Sequence, residues 1–165
     1  MGPFIMYIMG VSGSGKTTIG KKLSGKTDIP FFDADDFHSP ANKEKMKKGD
    51  PLTDDDRTDW LTRINALAKE QMKKKGAIIA CSALKEKYRT VLSGGINIPV
   101  FWIFLRGNYE LIQKRIQART NHYMPASLLA SQFGTLEIPK QAITIDISDE
   151  PDEIVESIIS RVAEL

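Results

Sequence analysis

Eight residues near the start of the chain, Gly10-Val11-Ser12-Gly13-Ser14-Gly15-Lys16-Thr17, carry the spacing G-x-x-x-x-G-K-[ST]. The chemistry open to that spacing is the binding of a polyphosphate. Glycines allow a tight turn in which successive backbone N–H groups point at phosphate oxygens, and a helix starting behind the turn adds the positive end of its dipole. Gly10, Ser12, Gly13, Ser14 and Gly15 would build that cradle. Lys16 is expected at the β- and γ-phosphates, the Thr17 hydroxyl at a Mg²⁺ ion, and Thr18 on the α-phosphate side.

A second group able to do chemistry is Asp33-Ala34-Asp35-Asp36. In extended chain Asp33 and Asp35 point to the same side. Phosphoryl transfer to an alcohol needs one group to orient a hydrated Mg²⁺ and another to receive the hydroxyl proton, and this pair can divide those tasks. We expect Asp33 on the metal side with Thr17, and Asp35 on the proton. The competing reading, acidic residues capping a helix, is preferred for Asp36.

These groups need elements to hold them. Short apolar stretches at residues 4–9, 29–32, 77–81, 100–105 and 143–147 are rich in branched and aromatic side chains and read as buried strands. Helical patterns alternate with them, which predicts an α/β fold: five parallel strands with helices on both faces, in one domain spanning residues 1–165. In such a sheet the Asp33 end of the second strand lies near the phosphate loop, which sits directly after the first.

The clearest helix starts at Thr53, an N-cap with Asp56 three residues on, and places Trp60, Leu61, Ile64, Leu67, Ala68 and Met72 on one face. Its end is expected at Lys73-Lys74-Lys75-Gly76, with the lysines favoured by the helix dipole and Gly76 as the stop. Another helix is expected from about Asn108, and a last one from Pro151 with Ile154, Val155, Ile158, Ile159 and Val162 inward.

Composition sets the remaining bounds. The chain has 165 residues with 41% hydrophobic and 27% charged, ordinary proportions for a globular domain able to bury a core. A net charge of +2 with no long basic run gives no reason to expect a nucleic-acid partner. The apolar run at the start is too short to span a bilayer and lacks a basic leader, so no membrane association is expected. Cys81, the single cysteine, reads as a small buried hydrophobe in a reducing, cytoplasmic setting.

A phosphate loop also occurs in GTPases and transporter ATPases. Asn42-Lys43-Glu44-Lys45 lacks the final Asp of a guanine-reading motif, and Leu92-Ser93-Gly94-Gly95 is followed by no strand ending in Asp-Glu, so Gly94-Gly95 reads as a helix stop. The remaining blocks choose differently. Asp33 to His38, Asn42 to Met46, Gly49 to Arg57, Trp60-Leu61, Cys81 to Lys85, Tyr88-Arg89 and His122-Tyr123-Met124 through Ser131-Gln132-Phe133 together resemble the gluconate kinases, relatives of shikimate and adenylate kinases. The resemblance runs nearly end to end. Departures are Thr53 where the family often has Asn, Asp59 where it has Pro, and Tyr123 where it more usually has Phe.

The resemblance implies ATP-dependent phosphorylation of gluconate, with ATP and Mg²⁺ as the nucleotide and metal and an acceptor region at about residues 35–60. A carboxylate-bearing polyol calls for guanidinium forks, and the resemblance gives that task to Arg57 and Arg89, with Asp35, His38, Lys85 and Gln132 as further acceptor contacts. Arg115 and Arg119 are read as four apart on one helix, clamping nucleotide and transferring phosphoryl beside a mobile lid at about 119–126. His122, in that lid, is expected outside catalysis. A homodimer is left open. Two alternatives stay open as well: a kinase for another small hydroxy acid or polyol, and a nucleotide-binding module without an acceptor.

Overall fold

The computed structural model describes residues 1–119 and 125–165. The expected lid therefore falls largely on positions 120–124, His122 and Tyr123 among them, which lie outside the described residues.

Five strands form one parallel sheet: β1 (Phe4–Met9), β2 (Phe31–Asp33), β3 (Gly76–Ala80), β4 (Val100–Arg106) and β5 (Ile143–Asp146), in the order β2-β3-β1-β4-β5. All six residues of β1 are buried, as a continuous apolar run predicts for a central strand covered on both faces. The chain leaves β1 toward one neighbour and later returns to the other, so the C-terminal end of β1 is the switch point at which open α/β sheets bind ligands.

Seven α-helices are described: α1 (Lys16–Thr27), α2 (Pro40–Lys47), α3 (Asp54–Gln71), α4 (Glu86–Ser93), α5 (Tyr109–Gln117), α6 (Ala126–Thr135) and α7 (Pro151–Ala163). α1 packs against β1, β3 and α7, while α3 packs against β3 and α4. α3 begins as read from its sequence. Thr53 accepts from the Asp56 N–H at 3.1 Å and the Asp56 carboxylate accepts from the Thr53 N–H at 2.8 Å, a complete capping box. α7 likewise buries Ile154, Val155, Ile158 and Val162.

Two helix ends differ from expectation, and the strands other than β1 shift by one or two residues at their ends. α3 ends at Gln71, and Gly76 does not stop it but opens β3, with φ +91°. The reason is a close approach: Phe4 pairs with Gly76, and a Cβ there would lie 2.0 Å from the Phe4 carbonyl oxygen. The lysines before it sit in the intervening turn, where Lys74 pairs with Glu70 at 3.3 Å and Lys75 with Asp28 at 2.7 Å. The helix capped by Asn108 also stops early, at Gln117, so Arg119 is not on it and does not share a helical face with Arg115.

Among the described residues no helix is long and apolar enough to cross a membrane.

Candidate active site

The phosphate loop leaves its polar groups for a ligand. Gly15 caps α1 in the left-handed region at φ +97°, offers no side-chain acceptor to the helix, and is followed by no acidic residue in the first turn. The first N–H groups of α1 therefore face an anion site. At Gly10, φ +145°, a Cβ would lie 2.8 Å from the Leu105 carbonyl oxygen and 2.9 Å from Ser14 Oγ. That buried Ser14 hydroxyl has no hydrogen-bond partner among the described residues. An uncapped helix start and an orphaned buried hydroxyl fit a polyphosphate.

Lys16 Nζ donates to the Val11 carbonyl at 3.0 Å. Burial lowers its pKa, against the opposing pull of Asp35, Cys81 and Asp33, so the ammonium stands ready for a compensating anion. Cys81 itself takes no part: burial pushes its thiol up to about 12.

Asp33 joins two elements. One carboxylate oxygen accepts from Thr17 Oγ1 at 2.9 Å, and the other caps the 3-10 turn Ala34–Phe37 by accepting from the Asp35 N–H at 3.0 Å. The turn is capped by Asp33 and not by Asp36. Among the described residues no three His, Cys, Asp or Glu side chains gather to hold a metal, so an ion beside Thr17 and Asp33 would draw most of its ligands from phosphate and water, as Mg²⁺ does.

His38 and Trp60 support the turn from behind. The rings stack at 4.1 Å and 13°, and Trp60 Nε1 donates to the Ala34 carbonyl at 2.7 Å. Burial, then the charges of Arg57 and Lys43, hold His38 down at about 4, so it is neutral near pH 7. Arg57 donates to the Leu52 carbonyl at 2.6 Å and to the Tyr88 hydroxyl at 3.2 Å, with its guanidinium 5.2 Å from the Tyr88 ring centroid. Tyr88 in turn donates to Asp54, whose carboxyl is held well below the usual range by hydrogen bonds from Lys87, Tyr88 and Lys85.

A cavity of about 340 Å³ brings these groups together. Lys16 and Thr17 line it on the loop side, followed by Asp33 and Asp35, then His38, Arg57 and Trp60, with Arg119 and Gln132 also reaching it. Gln132 does so through the loop: its Oε1 accepts from the Ser12 N–H at 2.7 Å and its Nε2 donates to Ser12 Oγ at 3.1 Å.

Other expected site residues do not line the cavity. Lys85 is 3.2 Å from Asp54. Arg89 is buried, donating from Nε to the Ala83 carbonyl at 2.9 Å, from Nη2 to the carbonyls of Leu84 at 3.1 Å and Glu137, and from Nη1 to Glu86 at 3.1 Å. With its donors so engaged it clamps the chain after β3 to the chain after α6. Arg115 donates to the Ile147 carbonyl at 2.5 Å, behind β5, and Thr18 is an exposed residue of α1. Asn42 of α2 also contacts His38, and no spacing pointed to that contact, because His38 lies in extended backbone ahead of the helix and shares no helical turn with it.

A family model described as shikimate kinase matches residues 12–163. A probable gluconokinase of Dictyostelium discoideum is 46% identical, the match covering 94% of this chain and 84% of that protein. A gluconokinase of Gluconobacter oxydans is 40% identical, covering 95% and 90%. The crystal structure of a gluconokinase from Sinorhizobium meliloti superposes with a TM-score of 0.87 at 36% identity, covering 98% of this chain and 94% of that one.

Proposed function

The chain belongs to the gluconokinases, within the family described by the shikimate kinase model, and on that premise we propose that it transfers the γ-phosphoryl group of ATP to gluconate, giving 6-phosphogluconate and ADP. The observation that carries this reading is a single cavity holding Lys16 and Thr17, the carboxylates of Asp33 and Asp35, and the guanidinium of Arg57.

The triphosphate lies in the loop, against the N-terminal N–H groups of α1, and Lys16 moves from the Val11 carbonyl to the β- and γ-phosphates. A Mg²⁺ ion held by the Thr17 hydroxyl and Asp33 would neutralise charge on those phosphates. Arg57, held in place by Leu52 and Tyr88, pairs with the carboxylate of gluconate. Asp35 accepts the hydrogen of the attacking hydroxyl. As the oxygen–phosphorus bond forms and the bond to the β–γ bridging oxygen breaks, the proton passes to Asp35 and ADP leaves. Arg119 spreads the charge gathering on the transferred group. We place this chemistry in the cytoplasm, where ATP is plentiful and an unpaired cysteine such as Cys81 stays reduced.

ADP release with and without gluconate tests the reading. A large rise on adding gluconate is expected; slow release unchanged by gluconate would favour a nucleotide-binding module instead.

A further inference from the structure

What His38 can do in the cavity depends on which ring nitrogen carries its proton, and Asn42 decides that. Asn42 is buried on α2, and its Nδ2 donates to the Asp56 carbonyl at 2.7 Å. A carbonyl only accepts, so the nitrogen end of the amide is fixed on that side. The same NH₂ group stands 3.3 Å from His38 Nδ1. A donor facing Nδ1 makes Nδ1 the acceptor, and in a neutral imidazole the proton then sits on Nε2.

Both partners are held. The imidazole is stacked on Trp60, and Asp56 is anchored by the Thr53 N–H at 2.8 Å and Lys45 Nζ at 2.7 Å. Burial and the nearby Arg57 and Lys43 keep the ring neutral, so its donor persists at ordinary pH.

Nε2 stands 4.0 Å from Asp35 Oδ1. That is too far for a direct hydrogen bond, and it suits a single oxygen about 2.8 Å from each. Such an oxygen must accept from Nε2–H and donate to the carboxylate. A hydroxyl does both, whereas a carbonyl oxygen can accept from the imidazole but has no hydrogen to give the carboxylate.

We propose that Asn42 is a positioning residue that locks His38 as an Nε2–H donor, and that His38 and Asp35 together grip one hydroxyl of the acceptor. This rests on the reading of the cavity as the acceptor site. It makes the pair a selector for polyols over their keto analogues.

The test joins a spectrum to kinetics. The chain has two histidines, so ¹⁵N-histidine NMR near pH 7 gives two imidazoles, and His38→Gln identifies the one of interest. The wild type is expected to carry the His38 proton on Nε2; finding it on Nδ1 overturns the proposal. In Asn42→Asp the carboxylate can only accept, so Nδ1 should become protonated. kcat/KM for gluconate should then fall about tenfold, the worth of one lost hydrogen bond, with the ATP KM unchanged. In a His38→Gln background the amide supplies a donor that needs no tautomer, and Asn42→Asp should cost nothing further. An equal cost in both backgrounds would mark Asn42 as merely structural and overturn the proposal. Absence of gluconate phosphorylation by the wild type would sink the functional reading, while the spectrum would still decide the tautomer.

Discussion

The Thr17 hydroxyl donates to Asp33 Oδ2 at 2.9 Å, tying the first turn of α1 to the end of β2 although β3 lies between β2 and β1 in the sheet. The other Asp33 oxygen holds the backbone of Asp35. The two carboxylates thus stand on one short turn with different partners, and their variants should differ in kind. Asp33→Asn should raise the Mg²⁺ concentration needed for turnover, with activity partly restored by added metal. Asp35→Asn should lower kcat by about 10² to 10⁴, without metal rescue. Near-normal kcat in Asp35→Asn, or rescue of that variant alone, would contradict the division.

Arg57 and Arg89 were expected to share the acceptor carboxylate, and their surroundings separate them. Arg57→Gln should raise the gluconate KM and leave the ATP KM in place. Arg89→Gln should act on the fold, because it strips donors from the buried carbonyls of Ala83 and Leu84 and cuts the tie to the Glu137 carbonyl; a loss on the order of 3 kcal/mol in urea denaturation is expected, with little change in gluconate KM. A selective rise in gluconate KM for a stable Arg89→Gln would return that residue to the acceptor site.

Gln132 grips Ser12 through both ends of its amide. Gln132→Leu should therefore raise the ATP KM several-fold more than the gluconate KM, as measured by initial rates at saturating co-substrate. The reverse pattern would make Gln132 an acceptor contact.

The phosphate loop could be read from sequence because its chemistry is local: eight consecutive residues set the turn, the charge and the helix start. The Thr53–Asp56 capping box is local in the same way. Arg89, Arg115 and Lys85 could not be placed because their partners are remote, Glu137, Ile147 and Asp54 lying 48, 32 and 31 residues away; Gln132 does line the cavity, but its bonds to Ser12, 120 residues away, were equally invisible in sequence. An arginine's type announces a planar set of donors but not whether substrate or backbone will fill it. Gly76 misled for a related reason, since a glycine after a helix looks like a stop until the strand it must lie against, β1, is seen.

His38 makes stability depend on pH in a window separate from the carboxylates. Its pKa is about 4 in the fold against an ordinary 6.5, so between those values the unfolded chain binds more protons and stability rises with pH. Read downward, stability is lost as pH falls from about 6.5 to 4. Asp56, held near 2 first by its hydrogen bond from Lys45, contributes its own loss only below that window. Thermal melts across pH 4–7 should show a slope in the wild type that flattens in His38→Gln. Parallel slopes would mean that the ring is not held neutral.

Phosphorylation of gluconate in this cavity can be read from the products themselves. Incubating the protein with ATP, Mg²⁺ and an equimolar mixture of gluconate, other sugar acids and shikimate, then identifying the phosphorylated species by mass, tests it most directly. Phosphogluconate is expected as the dominant product, formed in step with the ADP released and lost in Lys16→Ala. Dominant phosphorylation of another acceptor, or ADP release with no phosphorylated acid, would contradict it.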